Sequence, residues 1–196
     1  GVETEGLRNF LTRMPSSTTA THGGLYHYCS PHSDVLGWLI ERVGNDSFAN
    51  QFSRNILGPC GGRDAGYLIL DTYGAPRVSG GMCLCLHDLL LIGEMVRNHG
   101  KIQGVQVVPS SWIEDFTKVS DNSAWRAQRE ANGHRLFDQG NYRSLWYQTG
   151  FADREICGIG IHGQWLWINP KKEIVIVKLA SHDNELDTAT DGVMLA

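Results

Sequence analysis

The chain has 196 residues, of which 41% are hydrophobic and 19% charged, and its formal net charge is −4. This composition can fill a hydrophobic core and excludes a disordered or fibrous chain. The mild acidity argues against a nucleic-acid partner, because phosphate contacts need a basic surface. The longest apolar runs, such as residues 174–177, are too short to cross a bilayer, so the sequence predicts no membrane partner.

Apolar residues at helical spacing predict helices at the start of the chain. Residues 7–14 read as the end of one helix, and residues 16–24 read as a polar loop. Ser30 as N-cap and Pro31 in the first turn then predict a helix that closes at Gly44. An apolar stripe on this helix is expected to face the core (Val35, Leu36, Leu39, Ile40 and Val43).

Short elements are predicted in the middle of the chain (helices 47–55 and 88–98; strands 67–70, 82–86 and 105–108). Phe48 and Phe52 are expected to be buried by the first of these helices. Another short helix is expected where Ser111 and Glu114 have the spacing of a capping box. Residues 121–144 are polar, rich in arginine and aperiodic, so they predict a long surface loop.

The last third of the chain has the pattern of paired strands. Residues 155–169 are predicted as one strand, residues 169–172 as a turn, and residues 173–181 as an apolar strand deep in a sheet. Ile174 and Ile176 are therefore expected to be buried. Helices that dominate the first two thirds, followed by an antiparallel hairpin, predict an α+β fold.

Cysteine and histidine usage gives no support for a cofactor. The five cysteines are odd in number and irregularly spaced, which predicts free thiols and slightly favours a reducing, cytoplasmic compartment. None of the eight histidines falls into a His-Glu-x-x-His pair, and no glycine-rich phosphate-binding motif is present. The sequence therefore predicts neither a metal ion nor a nucleotide cofactor.

Four segments resemble the serine β-lactamase-like hydrolases of the penicillin-binding and class C type, and they occur in that family's order. Residues 28–42 resemble the region of the Tyr-x-Asn motif, with Tyr-Cys-Ser in place of Tyr-Ser-Asn. Residues 56–61 resemble a Pro-Leu-Gly turn, and residues 74–89 resemble the Gly-Gly strand with its following helix. Residues 160–164 stand at the position of Lys-Thr-Gly or His-Thr-Gly. The resemblance is closest to the branch of 6-aminohexanoate-dimer hydrolases and related esterases.

The family's nucleophile motif, Ser-x-x-Lys, is absent from this sequence. The residues three positions before the five lysines are not serines (Asn98, Asp115, Ile168, Asn169 and Val175). The resemblance therefore implies that residues 1–196 are the C-terminal portion of a single β-lactamase-like domain. Its partner would be the missing N-terminal part of the same protein, and this chain alone is expected to be inactive.

The resemblance implies two catalytic residues, Tyr28 and His162. Tyr28 would share proton transfer with the family's lysine at a helix N-terminus, which assists a phenol whose ordinary pKa is about 10. His162 stands at the Lys/His position and would orient the proton network or a substrate carboxylate. The structural alternative for Tyr28 is a core tyrosine ahead of a capped helix. The alternative for His162 is a structural histidine whose hydrogen bonds are satisfied within the protein. If the resemblance holds, both side chains should line one cavity.

Four residues are implied to bind substrate. Ser30 stands where an asparagine amide would hold a substrate amide, with helix capping as the alternative. Gly163, Gln164 and Trp165 follow on the active-site strand, where a backbone N–H of Gln164 or Trp165 would serve one half of an oxyanion hole. Aromatic residues either wall a cleft for an apolar acyl chain or pack in the core (Trp125, Trp146, Tyr147, Trp165 and Trp167).

The function implied is cleavage of a small amide or ester through an acyl-enzyme, without a cofactor. The alternative is a catalytically silent penicillin-binding-like module that binds peptide or acyl ligands. Metal-dependent hydrolysis would require bound zinc and is not expected. An amidase, an esterase and a β-lactamase are not separated at this point, because the same chemistry serves all three.

Overall fold

A computed structural model of the protein describes residues 5–16, 24–118, 120–132 and 136–195. The helices are α1 (Leu7–Arg13), α2 (Ser30–Gly44), α3 (Phe48–Phe52), α4 (Leu86–Arg97), α5 (Ser110–Thr117), α6 (Ser123–Asn132) and α7 (Thr188–Leu195). The strands are β1 (Tyr67–Leu68), β2 (Met82–Cys83), β3 (Lys101–Ile102), β4 (Val105–Gln106), β5 (Asn141–Arg143), β6 (Trp146–Gln148), β7 (Ile156–Gly160), β8 (Gln164–Asn169) and β9 (Ile174–Lys178). The predicted α+β class is confirmed. None of the helices in these described ranges has the length and hydropathy of a membrane span.

A five-stranded antiparallel sheet, in the order β5-β6-β7-β8-β9, organises the second half of the chain. Neighbours in the sheet are neighbours in sequence, and connections of two to seven residues join them. Trp165 in β8 lies opposite Ile159 in β7 and opposite Lys178 in β9. The predicted pairing of the last two strands is therefore confirmed.

The two faces of this sheet carry two different hydrophobic clusters. Side chains alternate along a strand, so Ile156 and Ile168 enter one cluster while Cys157 and Trp167 enter the other. Helix α4 packs on the first face through Gly93, where an added Cβ would lie 2.5 Å from a methyl group of Val175. The second face is covered by aromatic residues (Trp125, Phe137, Trp165 and Trp167). The site described below lies beside this aromatic face.

Two predictions for the last third are wrong. Residues 155–169 form two strands instead of one, because the chain reverses at Ile161–Gly163, where His162 adopts a φ of 58°. β9 is the edge strand, so Ile174 and Ile176 are 42% and 45% exposed instead of buried. Their alternating neighbours face α4, and a run of β-branched residues does not reveal which face a helix covers.

Residues 121–144 are not one surface loop, although residues 133–135 lie outside the described part. They contain α6 and β5. Trp125 of α6 is only 1% exposed and donates its indole N–H to the carbonyl of Phe137 at 3.0 Å. One buried aromatic residue anchors an otherwise polar helix, and a single anchor leaves no periodic pattern in the sequence.

Helix α2 has the predicted end at Gly44, but not the predicted burial. Ser30 is its first residue, Cys29 precedes it, and no side chain caps its N-terminus. The predicted apolar stripe is exposed (Val35, Leu36, Leu39, Ile40 and Val43), and Val43 is the most exposed of these at 81%. The buried residues are Asp34 and Gly37, and a Cβ on Gly37 would lie 2.3 Å from Val78. The helix therefore packs through the opposite face, against the segment that follows β1.

The remaining short elements lie close to their predicted positions. α1 and α4 match within two residues. The predicted strands at 67–70 and 82–86 form the shorter pair β1 and β2, and the strand predicted at 105–108 forms β4, which pairs with a strand that was not predicted, β3. Phe48 and Phe52 are half-buried and stack on each other at 6.3 Å. The predicted capping box at Ser111 does not form, because α5 starts one residue earlier, at Ser110, after Pro109 and without a side-chain cap. Of the predicted polar loop 16–24, residues 17–23 lie outside the described part.

Candidate active site

A cavity of about 900 Å³ lies where the start of α2, the segment between β1 and β2, and the β7–β8 turn meet. Tyr28 and Ser30 line it from the start of α2. Gly81 lines it from the middle segment, and Gly160 and Gln164 line it from the two ends of the β7–β8 turn. Segments far apart in sequence thus converge on one space, and it is large enough for a small organic substrate.

Tyr28 is the accessible phenol of this cavity. Its side chain is 52% exposed, and its ring meets that of Tyr142 edge-on at a centroid distance of 6.1 Å. Among the described residues its hydroxyl has no hydrogen-bond partner. It stands two residues before α2, a 15-residue helix whose N–H groups at this end have no side-chain cap. The positive end of the helix dipole therefore favours negative charge close to Tyr28.

The tyrosines around Tyr28, of which Tyr26 and Tyr147 line the cavity, remain protonated at ordinary pH. Burial raises the pKa of Tyr26 far above its usual value of 10, and the neighbouring Tyr147 raises it further. Burial also raises the pKa of Tyr142 and of Tyr147. These rings surround Tyr28, which is the exposed member of the group.

Ser30 lines the cavity and is half-buried. The predicted alternative role of Ser30 as the N-cap of α2 is wrong, because Cys29 occupies the N-cap position and Ser30 is already helical. In the described part of the chain its hydroxyl makes no hydrogen bond. It is therefore available to a ligand in the cavity.

Gln164 lines the cavity and is also tied to the backbone beside it. Its side-chain amide N–H donates to the carbonyls of Ala180 and His162, and its oxygen accepts from the N–H of Ala180 at 3.3 Å. These bonds fix the end of β8 where the strand borders the cavity. Trp165 has another role, because it is 2% exposed and donates its indole N–H to Asp191 at 2.9 Å. Its side chain belongs to the aromatic core.

The side chain of His162 is not among the cavity's lining residues, although Ile161 beside it is. The backbone N–H of His162 donates to the carbonyl of Glu185 at 2.9 Å, and its own carbonyl accepts from the N–H of His182 at 3.2 Å. Its Nδ1 lies 2.8 Å from the carbonyl oxygen of His182. A carbonyl only accepts, so Nδ1 carries the proton in this bond. Together with the bond that its carbonyl accepts from the Gln164 side chain, His162 has four hydrogen bonds that hold the β7–β8 turn.

Gly163 is buried beneath a histidine ring. It adopts a φ of +84°, and an added Cβ would lie 2.4 Å from Cε1 of His182. Only glycine combines this backbone conformation with so close an approach. Gly163 therefore shapes the turn and does not line the cavity.

Asp34 and Arg77 were not singled out from the sequence. Asp34 is 3% exposed, and each of its carboxylate oxygens accepts one bond from Ser79, from the N–H and the hydroxyl, both at 2.9 Å. Arg77 lines the cavity, and its Nε lies 3.8 Å from Asp34. The sequence offered one signal for Asp34, an aspartate within an otherwise apolar helix segment. A carboxylate that is buried there requires polar partners, and their presence could have been expected.

A group of potential metal ligands lies outside the cavity. Asp64, Cys85 and Asp88 each place one ligand atom within 4.8 Å of the others. The Cys85 thiol donates to Asp64 at 3.0 Å and accepts from the backbone N–H of Asp88 at 3.4 Å. The bond to Asp64 raises the pKa of Cys85, which favours the thiol over the metal-binding thiolate. These contacts are those of a cap on α4.

Comparisons with known proteins agree with this geometry. The chain is 32% identical over 158 residues to the 6-aminohexanoate-dimer hydrolase of Paenarthrobacter ureafaciens, a match covering 81% of this chain and 40% of that protein. A Bacillus anthracis structure described as a candidate 6-aminohexanoate-dimer hydrolase superposes with a TM-score of 0.81 at 22% identity, over 97% of this chain and 46% of that one. A candidate β-lactamase from Bacteroides dorei gives a TM-score of 0.60 at 18% identity, over 91% and 58%.

The two structural likenesses concern the fold alone, given their low sequence identity. The chain spans about two fifths of the length of the curated relative that it matches. The profile of the beta-lactamase family matches residues 4–195, which is nearly the whole chain. The chain therefore belongs to the beta-lactamase family.

Proposed function

We propose that this chain supplies the tyrosine half of an acyl-transfer site in a serine hydrolase that cleaves a small amide or ester. The observation that carries the proposal is the cavity in which Tyr28, Ser30 and the Gln164 end of β8 meet. The hydrolase names of the relatives agree with this class of reaction. The nucleophilic serine would come from sequence outside residues 1–196.

Tyr28 moves the proton in this scheme. Tyr28 acts as the phenolate, its own proton having passed to the lysine that the family's Ser-x-x-Lys motif would supply. The serine oxygen then forms a bond to the carbonyl carbon of the substrate while the carbonyl electrons move to its oxygen, and the serine proton passes to the Tyr28 oxygen. Collapse of the tetrahedral intermediate breaks the carbon–nitrogen or carbon–oxygen bond, and Tyr28 returns the proton to the departing amine or alcohol. Water then attacks the acyl-enzyme by the same route. Tyr28 is exposed and lies directly before α2, so its hydroxyl is accessible for this transfer.

The β7–β8 edge supports the developing oxyanion. In our proposal a backbone N–H at Gln164 is one donor, since this residue borders the cavity and its position is fixed by Ala180. Ser30 binds the polar group of the substrate next to the scissile bond. His162 acts as a positioning residue, because its four hydrogen bonds hold the turn that precedes Gln164.

The test is Tyr28→Phe in the full-length protein, with initial rates measured on a p-nitrophenyl ester. We expect kcat to fall about 10²- to 10⁴-fold, the usual effect of losing a proton-transfer group. Tyr73→Phe is the matched control, because Tyr73 is 68% exposed and does not line the cavity. An unchanged kcat in Tyr28→Phe would contradict the proposal. Ligand binding without any turnover in the wild type would favour the silent binding module.

A further inference from the structure

The β7–β8 turn is held from outside by the segment that follows β9. His162 and Gly163 are consecutive residues with positive φ, 58° and 84°. A left-handed backbone at a residue other than glycine is costly and persists only where neighbouring groups fix it. The backbone N–H of His162 donates to the carbonyl of Glu185 at 2.9 Å, and its carbonyl accepts from the N–H of His182 at 3.2 Å. The conformation of the turn therefore depends on residues 182–185.

His182 contacts this turn with its ring as well as with its backbone. An added Cβ on Gly163 would lie 2.4 Å from Cε1 and 2.6 Å from Nδ1 of His182, so the imidazole lies directly against the Gly163 backbone. The planar peptide group that follows Gly163 carries the N–H of Gln164, which we place at the oxyanion. From this contact we infer that His182 is a positioning residue for that N–H, an inference that rests on the proposed function.

Lys178 fixes the orientation of the His182 ring. Its Nζ lies 3.4 Å from Nε2 of His182, and an ammonium group only donates, so Nε2 accepts and the ring proton lies on Nδ1. Nδ1 is buried without a hydrogen-bond partner among the described residues, and Oδ2 of Asp187 lies 3.9 Å from it. A cation at the accepting nitrogen and a carboxylate nearer the donating one favour the same orientation of the ring.

The ring is expected to act on the reaction step more than on substrate binding. The negative charge on the carbonyl oxygen develops only after attack, so a displaced N–H weakens the transition state while the bound substrate is little affected. The side chain of Gln164 stays bonded to Ala180 and to the carbonyl of His162 whether or not the ring is present. Loss of the ring therefore displaces the peptide group before Gln164 without releasing the end of β8.

The test is His182→Ala in the full-length protein, with initial rates measured on a p-nitrophenyl ester. We expect kcat to fall about 10- to 100-fold, less than the loss of a whole oxyanion donor causes, while KM changes less than about twofold. The backbone bonds at position 182 do not need the side chain, so this variant removes the ring alone. Melting curves show that each variant is folded. An unchanged kcat in folded His182→Ala, or a rise in KM as large as the fall in kcat, would overturn the inference.

Further variants separate the oriented ring from general packing. His182→Gln offers Lys178 an amide oxygen in place of Nε2 and should retain most of the wild-type kcat. Lys178→Met should lower kcat, with no further loss when it is combined with His182→Ala, because both act through one contact. Lys171→Met is the matched control, since it removes the same charge from an exposed position beyond the other end of β8. Equal kcat for Lys178→Met and Lys171→Met, or a kcat of His182→Gln as low as that of His182→Ala, would overturn the inference.

Hydrogen exchange separates a failure of this inference from a failure of the proposed function. Mass spectrometry of peptides covering residues 158–166 reports how firmly the turn is held, with or without turnover. We expect faster exchange there in His182→Ala than in the wild type, and unchanged exchange in Lys171→Met. Unchanged exchange in His182→Ala would overturn the inference. Faster exchange in His182→Ala, together with no ester turnover by the wild type, would overturn the hydrolase proposal and leave His182 as the residue that positions the turn.

Discussion

Replacement of Asp34 by alanine should strongly destabilise the protein. The carboxylate is 3% exposed and accepts two hydrogen bonds of 2.9 Å from Ser79, while Arg77 lies 3.8 Å away. Bonds to a charged group contribute about 1.5–3 kcal/mol each, so the two bonds from Ser79 together contribute roughly 3–6 kcal/mol. Because Arg77 is half-exposed, its pairing contributes at most about 1 kcal/mol.

We therefore expect Asp34→Ala to lower the free energy of unfolding by about 3–5 kcal/mol. Asp34→Asn should cost about 1–2 kcal/mol, because the amide can still bond both groups of Ser79 but loses the charge. Ser79→Ala should cost about 1.5–3 kcal/mol, since only the hydroxyl bond to the carboxylate is lost. Urea unfolding followed by circular dichroism measures all three. A cost below about 1 kcal/mol for Asp34→Ala would refute the reasoning, because such a result is incompatible with a buried, bonded carboxylate.

Two further predictions concern stability away from the wall. Gly163→Ala should destabilise the protein by at least about 1 kcal/mol more than Gly104→Ala. Both glycines have a positive φ, but only at Gly163 would the added methyl group meet a ring, that of His182. Equal melting temperatures of the two variants would contradict this prediction. Burial by itself would raise the pKa of Asp71, but hydrogen bonds from backbone N–H groups, including that of Leu7, outweigh this effect and lower the pKa. A carboxyl group with a lowered pKa in the folded protein stabilises the fold at pH values above its unfolded pKa of about 3.9, and this stabilisation is lost as the pH falls through the folded pKa. The wild type should therefore have a higher melting temperature than Asp71→Asn at pH 7 and should lose that advantage below about pH 4. A constant difference from pH 7 to pH 2 would count against it.

The local elements could be predicted because their signals are local. Pro31 and the residues around Gly44 mark the ends of α2, and the alternation around Trp165 marks a strand. Burial was predicted less well, since it depends on which other element covers a face. Val43 lies on the apolar stripe and is exposed, whereas Asp34 is polar and buried. The periodic pattern identifies the apolar face of a helix, but it does not show which other element packs against that face.

The candidate site was only partly predictable for the same reason. Tyr28 and Ser30 could be named because they lie in a recognisable motif beside a helix start. His162 lies in another such motif, yet its side chain turns to the carbonyl of His182, because its φ of 58° reverses the chain there. The position of Arg77 depends on a contact with a residue 43 positions earlier, Asp34 (77 − 34 = 43), and no local pattern encodes such a contact. Convergence of distant segments is a property of the fold.

The central claim is that this chain holds the tyrosine half of a serine hydrolase site and not its nucleophile. The most direct measurement is hydrolysis of a p-nitrophenyl ester and of nitrocefin by the purified 196-residue chain, beside its Tyr28→Phe variant. The account predicts that neither protein exceeds background, because Ser-x-x-Lys is absent from the sequence and the catalytic groups act as a unit. Saturable turnover that survives repurification and disappears in Tyr28→Phe would contradict it, since the nucleophile would then lie within this chain.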